Sequence, residues 1–286
     1  MQFLWFRCDV IIPSTALAIF VLVLALLGFF IKREFEPVPD LDHHCSMASE
    51  AEVNMERFKA ENHSAFVVGY TGEVGKALVK DLNNLKIFKK VVLIGRREVP
   101  LDVGSEFEQK IVNFDNLDEY KDVFTNLDVG FCCLGTTRRK AGREGFIKVD
   151  HDYVLFSAEM AKEKGCKQFS LVSSQGANIE SSFLYPKTKG QVEEALKKMK
   201  FDRLSIYRPG ALLCKREETR IFEIIAGFVL KPIFYFFPTA ISAPVEIVAR
   251  AMINHVVAPL GNGPAWSMYT NKALHLASGM ASGCKK

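Results

Sequence analysis

The chain has 286 residues, of which 49% are hydrophobic and 24% charged, and a formal net charge of +4. That length suits one large α/β domain or two small ones, and so small a charge gives no argument for direct nucleic-acid binding. Seven cysteines, an odd number without a CxxC spacing, speak against a disulfide framework and for reduced thiols in a cytosol-facing domain.

In chain order, the first feature is an uncharged apolar run over residues 10–31, bounded by Asp9 and Lys32. It is long enough to cross a bilayer as a helix. A cleaved signal peptide would need a shorter apolar core and a small-residue cleavage site. The run leads instead into Phe29, Phe30, Ile31, Lys32 and Arg33. A retained transmembrane anchor is therefore expected.

Residues 34–61 read as a polar, acidic linker with Pro37 and Pro39, ending in a short helix over Met47–Lys59. His43, His44 and Cys45 cluster there, but no partner motif follows and no metal site is assigned.

Residues 62–286 then alternate between β-rich runs and helical stretches. The expected strands are Ala65–Val68, Val91–Ile94, Lys110–Val112, Val129–Cys133, Phe169–Val172 and Leu204–Tyr207. The expected helices are Val74–Leu85, Tyr153–Lys164 and Tyr185–Met199. Such alternation predicts an α/β fold, a Rossmann-type doubly wound parallel sheet. Continuous apolar runs such as Val91–Ile94 suit strands buried on both faces.

A small substrate lobe is expected over about 208–286. Within it, Ile221–Ile241 is very apolar, with four aromatics in Phe234–Phe237. Glu223, Lys231, Pro232 and Pro238 interrupt the run, which favours a buried or membrane-apposed segment over a second span. Val245–Val257 has helical spacing.

Gly69-Tyr-Thr71-Gly72-Glu73-Val74-Gly75 falls between the first strand and the first helix of that domain. Glycine suits a sharp turn, a backbone that approaches a pyrophosphate, and close packing of helix on strand. The helix start then offers free N–H groups to phosphate. The next strand ends in Gly95-Arg96-Arg97, where an NAD site usually carries an acidic residue. Two arginines suit the 2′-phosphate of NADP(H) instead. Phe114 and Asp115 follow the third strand, where an adenine would lie. Leu134, Gly135, Thr136 and Thr137 follow the fourth, at the crevice beyond the strands' carboxyl ends.

Ser173 and Ser174 end the fifth strand, and Tyr185 and Lys189 lie four apart at the start of the next helix. Residues at that spacing share a helix face. Pro186 suits a first turn, so Tyr185 sits at the positive helix end, where a phenolic oxygen can exchange a proton with a carbonyl oxygen. One of the two serines would hold the same oxygen. Arg208 and Pro209, after the sixth strand, are placed to reach the nicotinamide end.

The GxxGxxG loop and the YxxxK pair resemble the atypical branch of the short-chain dehydrogenase/reductase superfamily. Val92–Arg97, Val129–Arg138, Lys140–Gly142, Asp152–Val154, Phe201–Arg203 and Arg208–Gly210 are similar to the Tat-interacting oxidoreductase family within it, over about Met47 to the C-terminus. The resemblance implies an NADP-binding fold with Tyr185, Lys189 and Ser173 or Ser174 as the catalytic set, and a substrate that is not settled. It also implies protein partners such as importins or transcription regulators, links to apoptosis, nuclear import and membrane traffic, and fungal relatives on the mitochondrial outer membrane.

The anchor and the more apolar Ile221–Ile241 depart from the family's soluble form. Met47-Ala-Ser-Glu looks like the start of that form, so a soluble cytoplasmic or nuclear isoform beginning there is expected beside a membrane-anchored one facing the cytosol. Two function classes follow. One is an NADP(H)-dependent oxidoreductase for a small, lipophilic carbonyl or alcohol. The other is a non-enzymatic NADP(H)-sensing protein that presents Arg138–Arg143 to protein partners.

Overall fold

A computed structural model of the chain describes residues 24–29, 31–35, 50–213, 239, 242–260 and 265–279. Most of the expected anchor, residues 36–49 of the linker with the His43–Cys45 cluster, and nearly all of Ile221–Ile241 lie outside these. Residues 24–29 and 31–34 are helical. Among the described residues no helix is long and apolar enough to cross a membrane.

The domain opens with α1 (Ala51–Ala60), β1 (Ser64–Val68), α2 (Glu73–Leu85), β2 (Lys90–Gly95) and β3 (Phe107–Ile111). A kinked 3₁₀ segment (Phe114–Phe124) leads to β4 (Val129–Cys132). Next come α3 (Arg138–Ile147), a π-helical turn (Lys148–Asp152) and α4 (Tyr153–Glu163). β5 (Gln168–Val172), α5 (Leu184–Lys198) and β6 (Arg203–Arg208) complete the alternation. A short pair, β7 (Ala211–Leu213) and β8 (Ser242–Pro244), precedes α6 (Val245–Val257), β9 (Trp266–Thr270) and α7 (Asn271–Ala277).

Seven strands form one sheet in the order β3-β2-β1-β4-β5-β6-β9, and every pairing is parallel. The order reverses between β1 and β4, which leaves a crevice beyond their carboxyl ends. Alternate side chains of each strand feed two cores. Ala65, Val67, Val91, Leu93, Val129 and Phe131 face α2 and α6. Phe66, Val68, Val92, Ile94, Cys132, Phe169 and Leu171 face α4, α5 and the 3₁₀ segment. Each such side chain contributes roughly 1.5–3 kcal/mol on burial, which is why continuous apolar runs became central strands.

The structure differs from expectation at three places. β3 lies three residues before the expected Lys110–Val112, because its residues are half-buried and carry no apolar run. β9 joins the sheet beside β6, yet only Tyr269 of its residues is buried, so its sequence has no core signature. α6 packs on α2 in the main body, where Asp81 Oδ2 of α2 accepts from Arg250 Nε at 3.2 Å. Thus β9 and α6, both expected in the C-terminal lobe, belong to the main sheet and its covering layer.

Candidate cofactor and active site

The glycine loop sits at the reversal of strand order. Gly69 has φ +79°, and a Cβ there would lie 2.5 Å from the Cys133 carbonyl carbon at the end of β4. A Cβ on Gly75 would lie 2.3 Å from the Gly69 carbonyl oxygen. Only glycine fits either position. Gly72 is the N-cap of α2 and supplies no side-chain cap, so the first N–H groups of that helix face the crevice. Val74 is buried beneath them, while Thr71 and Glu73 are exposed on the rim. This cradle of bare backbone fits a pyrophosphate.

Tyr70, the loop residue that sequence reasoning passed over, ties the cradle to the arginine turn. Its ring fills the space that a Cβ on Gly95 would need, and its hydroxyl lies 3.0 Å from the Arg97 carbonyl oxygen and 2.9 Å from Gln109 Oε1. Burial pushes the Tyr70 phenol above its ordinary value, so it stays a donor. The turn is thereby fixed while the side chains of Arg96 and Arg97 remain exposed.

At the next strand end, Phe114 is buried against the Tyr153 ring, with centroids 5.1 Å apart. Asp115 is exposed and accepts from the Tyr153 hydroxyl at 2.5 Å and from Lys148 Nζ at 2.8 Å. Those two hydrogen bonds hold its carboxyl below the ordinary value.

The loop Leu134–Thr137 is fixed by a residue the sequence did not single out. Asp150, on the π-helical turn, accepts from the Thr136 N–H at 2.7 Å. Its other oxygen lies 2.8 Å from Lys189 Nζ, and both side chains are buried. Gly135 passes beside this carboxylate, and Thr137 caps α3 through its hydroxyl oxygen. Burial acts to lower the Lys189 ammonium, but the charges of Asp150 and Tyr185 outweigh it, and the group is held above its ordinary value. π-Helical turns of this kind frequently mark functional sites.

On α5, Tyr185 is half-exposed in the first turn and packs at a tilt against buried Phe146 with centroids 5.6 Å apart. Lys189 lies one turn below it. Ser173 is turned away from this pair: its hydroxyl donates to Glu193 Oε1 at 2.5 Å. Glu193, buried on the next turn of α5, also accepts from Arg208 Nε at 3.0 Å and Nη2 at 2.5 Å. Arg208, expected to reach toward the nicotinamide end, is held on α5 by this contact. Pro209 is buried, and its carbonyl accepts from the Gln175 N–H at 2.8 Å. Ser174 is half-buried, and its hydroxyl donates to the Gln175 carbonyl at 3.2 Å.

Comparison with known proteins places the chain in a family. No family model matches the chain. Over 223 residues it is 48% identical to the protein HTATIP2 of Rattus norvegicus, covering 77% of this chain and 92% of that one. The chain belongs to the HTATIP2 family. The chain also has fungal relatives: the protein FMP52, mitochondrial, of Candida albicans is 39% identical over 161 residues, 54% of this chain and 70% of that one. Among solved structures, a short-chain dehydrogenase/reductase family oxidoreductase from Burkholderia thailandensis superposes with a TM-score of 0.57 at 16% identity. The match covers 74% of this chain and 92% of that one. MoeE5 in complex with UDP-glucose and NAD superposes with a TM-score of 0.54 at 16% identity, over 72% and 75% of the two chains. At those identities the likeness shows the fold alone: this HTATIP2-family chain is a Rossmann-type α/β protein.

Proposed function

We propose that the chain is an NADP(H)-dependent oxidoreductase that moves a hydride to or from a small, lipophilic carbonyl or alcohol. One observation carries the proposal: the uncapped, glycine-lined start of α2 is joined through Tyr70 to a turn that presents Arg96 and Arg97 to solvent. The backbone of Gly69–Gly75 would hold the pyrophosphate, and Arg96 and Arg97 the 2′-phosphate. Phe114 and Asp115 would flank the adenine, with Leu134–Thr137 along the crevice. MoeE5, of the same fold, carries NAD, which supports a nicotinamide dinucleotide here.

When bound, NADP(H) supplies or accepts the hydride. The chain's own residues move the proton. Tyr185 exchanges it with the substrate oxygen, and Lys189, kept as an ammonium by Asp150, stabilises negative charge on Tyr185. Ser173 or Ser174 holds the same oxygen by hydrogen bond, once its hydroxyl leaves Glu193 or the Gln175 carbonyl. Tyr185→Phe is expected to lower turnover by about 10²–10⁴-fold while NADPH affinity, read by fluorescence titration, stays the same. Turnover that survives the change would remove Tyr185 from the chemistry.

The fungal relatives are named mitochondrial. With the apolar run at 10–31, this supports a domain held at an organelle membrane and facing the cytosol. A second reading, an NADP(H)-sensing protein with protein partners, is favoured by α3. Arg138, Arg139, Lys140 and Arg143 are exposed there, and among the described residues none makes an ion pair.

A further inference from the structure

The N-terminal helical segment touches the domain through its last charged residues, and the contact falls on the rim of the candidate site. With the Gln175 side-chain amide oriented to suit its neighbours, its oxygen accepts from Arg33 Nε at 3.2 Å and also from Nη2. Gln175 directly follows Ser174, and its backbone carbonyl receives the Ser174 hydroxyl. Glu34 Oε1 accepts from the Thr239 hydroxyl at 2.8 Å, and the Glu34 carbonyl accepts from Lys272 Nζ at 2.6 Å. Arg33 and Glu34 are half-buried by these contacts.

The rest of the segment is the opposite. Leu24, Leu26, Leu27, Phe29 and Ile31 are all exposed. At about 100° per residue these positions cover more than half of the helix circumference, and Ala25 and Gly28 on the remaining side are exposed as well. A helix that is apolar all round belongs in a large core or a membrane, and among the described residues neither core includes it. These residues are the last of the uncharged run over 10–31, which is followed at once by Lys32 and Arg33. Basic residues at the end of an apolar span mark the membrane–water interface.

The loop that Arg33 touches carries a second apolar feature. In the loop between β5 and α5, Phe183 is 78% exposed and Ile179 is also exposed. This is the loop that holds Ser173, Ser174 and Gln175 and ends two residues before Tyr185. Exposed large apolar residues beside a catalytic cleft mark a surface that something covers.

We infer that the covering partner is the lipid bilayer: the Arg33–Glu34 contact seats the mouth of the site against the membrane, so that the substrate enters from the bilayer. The substrate class is then a bilayer-dissolved amphiphile with a carbonyl or hydroxyl near the interface, a refinement that rests on the oxidoreductase reading. The orientation of the mouth does not rest on it.

The test uses the full chain reconstituted in phosphatidylcholine vesicles with Phe183→p-benzoylphenylalanine, a photoreactive side chain close to phenylalanine in shape. Lys89→p-benzoylphenylalanine, exposed at the amino end of β2 on the opposite pole, is the control. Irradiation is expected to give phosphatidylcholine adducts at position 183 and none at 89. Adding Arg33→Glu with Glu34→Lys is expected to cut the adduct about tenfold, the factor carried by one charge-assisted hydrogen bond, while the chain still floats with the vesicles and binds NADPH. The same pair of changes should lower turnover of a long-chain aldehyde dissolved in the vesicles and leave turnover of a short water-soluble aldehyde unchanged. The inference is overturned by a chain that does not float with vesicles, by lipid adducts equal at both positions or absent at 183, by adducts there to a second copy or another protein, or by an undiminished adduct in the double variant. Loss of both aldehyde activities together would overturn the substrate class alone. A failure of the oxidoreductase reading appears elsewhere, as absent NADPH binding or turnover that survives Tyr185→Phe.

Discussion

Asp150 connects two parts of the site that are far apart in sequence, the Thr136 N–H and the Lys189 ammonium. With that carboxylate in place the ammonium is buried but compensated. Asp150→Asn leaves an uncompensated charge, and breaking one side of a buried pair costs roughly 3–5 kcal/mol. The sign with pH follows from the raised value of Lys189. Its contribution is fully present below the ordinary lysine value of 10.5 and is lost as pH rises through the higher folded value. Urea denaturation should therefore show a constant gap between wild type and Asp150→Asn across neutral pH, closing only in strong alkali. A gap that closes near neutrality would contradict the pair. At this scale the glycines were legible, because a position that admits no Cβ leaves only one residue type. Asp150 and Glu193 were not. Among 33 acidic residues, nothing in the sequence distinguishes a carboxylate whose partners lie on other elements. The same blindness hid the different partners of Ser173 and Ser174, which donate to Glu193 and to the Gln175 carbonyl.

α5 shows how one element assembles several of these residues. Tyr185, Lys189 and Glu193 follow each other at four-residue spacing on one face. The first lies at the rim, the second on Asp150, the third on Ser173 and Arg208. Two buried ionic contacts thus fix the rotation of the helix about its axis. Its seating also depends on Gly190, where a Cβ would lie 2.3 Å from the Ile179 N and 2.5 Å from the Asn178 carbonyl carbon. Both atoms are backbone, so the loop that carries Ile179 would have to shift. Gly190→Ala is expected to cost about 1–3 kcal/mol in urea denaturation, the range for overpacking. Unchanged stability would show that α5 is not held against that loop. The periodicity of α5 was plain in the sequence, as was the β1–α2–β2 unit. The π-helical turn and β9 were not, since the first needs the Asp150 contacts and the second has one buried residue.

Across the whole molecule, the parallel sheet converts these local features into a site. The strand order brings the loops after β1, β2, β3, β4 and β5 to one edge, so that segments from Gly69 to Tyr185 share a crevice. Arg203 helps to close the other edge, donating to the carbonyls of His255, Val256 and Ala258 at the end of α6. The doubly wound order was legible from alternating strands and helices. The edge strand and the docking of Arg33 and Glu34 were not, because they depend on contacts between distant parts of the chain. The central claim is that the cradle and the arginine turn select NADP(H). Parallel titration of the purified chain with NADPH and NADH tests it most directly. NADPH should bind more tightly by roughly tenfold to a hundredfold, the effect of one or two charge-assisted hydrogen bonds to the 2′-phosphate, and Arg96→Ala with Arg97→Ala should remove the preference while NADH affinity stays the same. Equal binding of the two nucleotides by the unmodified chain, or no binding of either, would contradict the account.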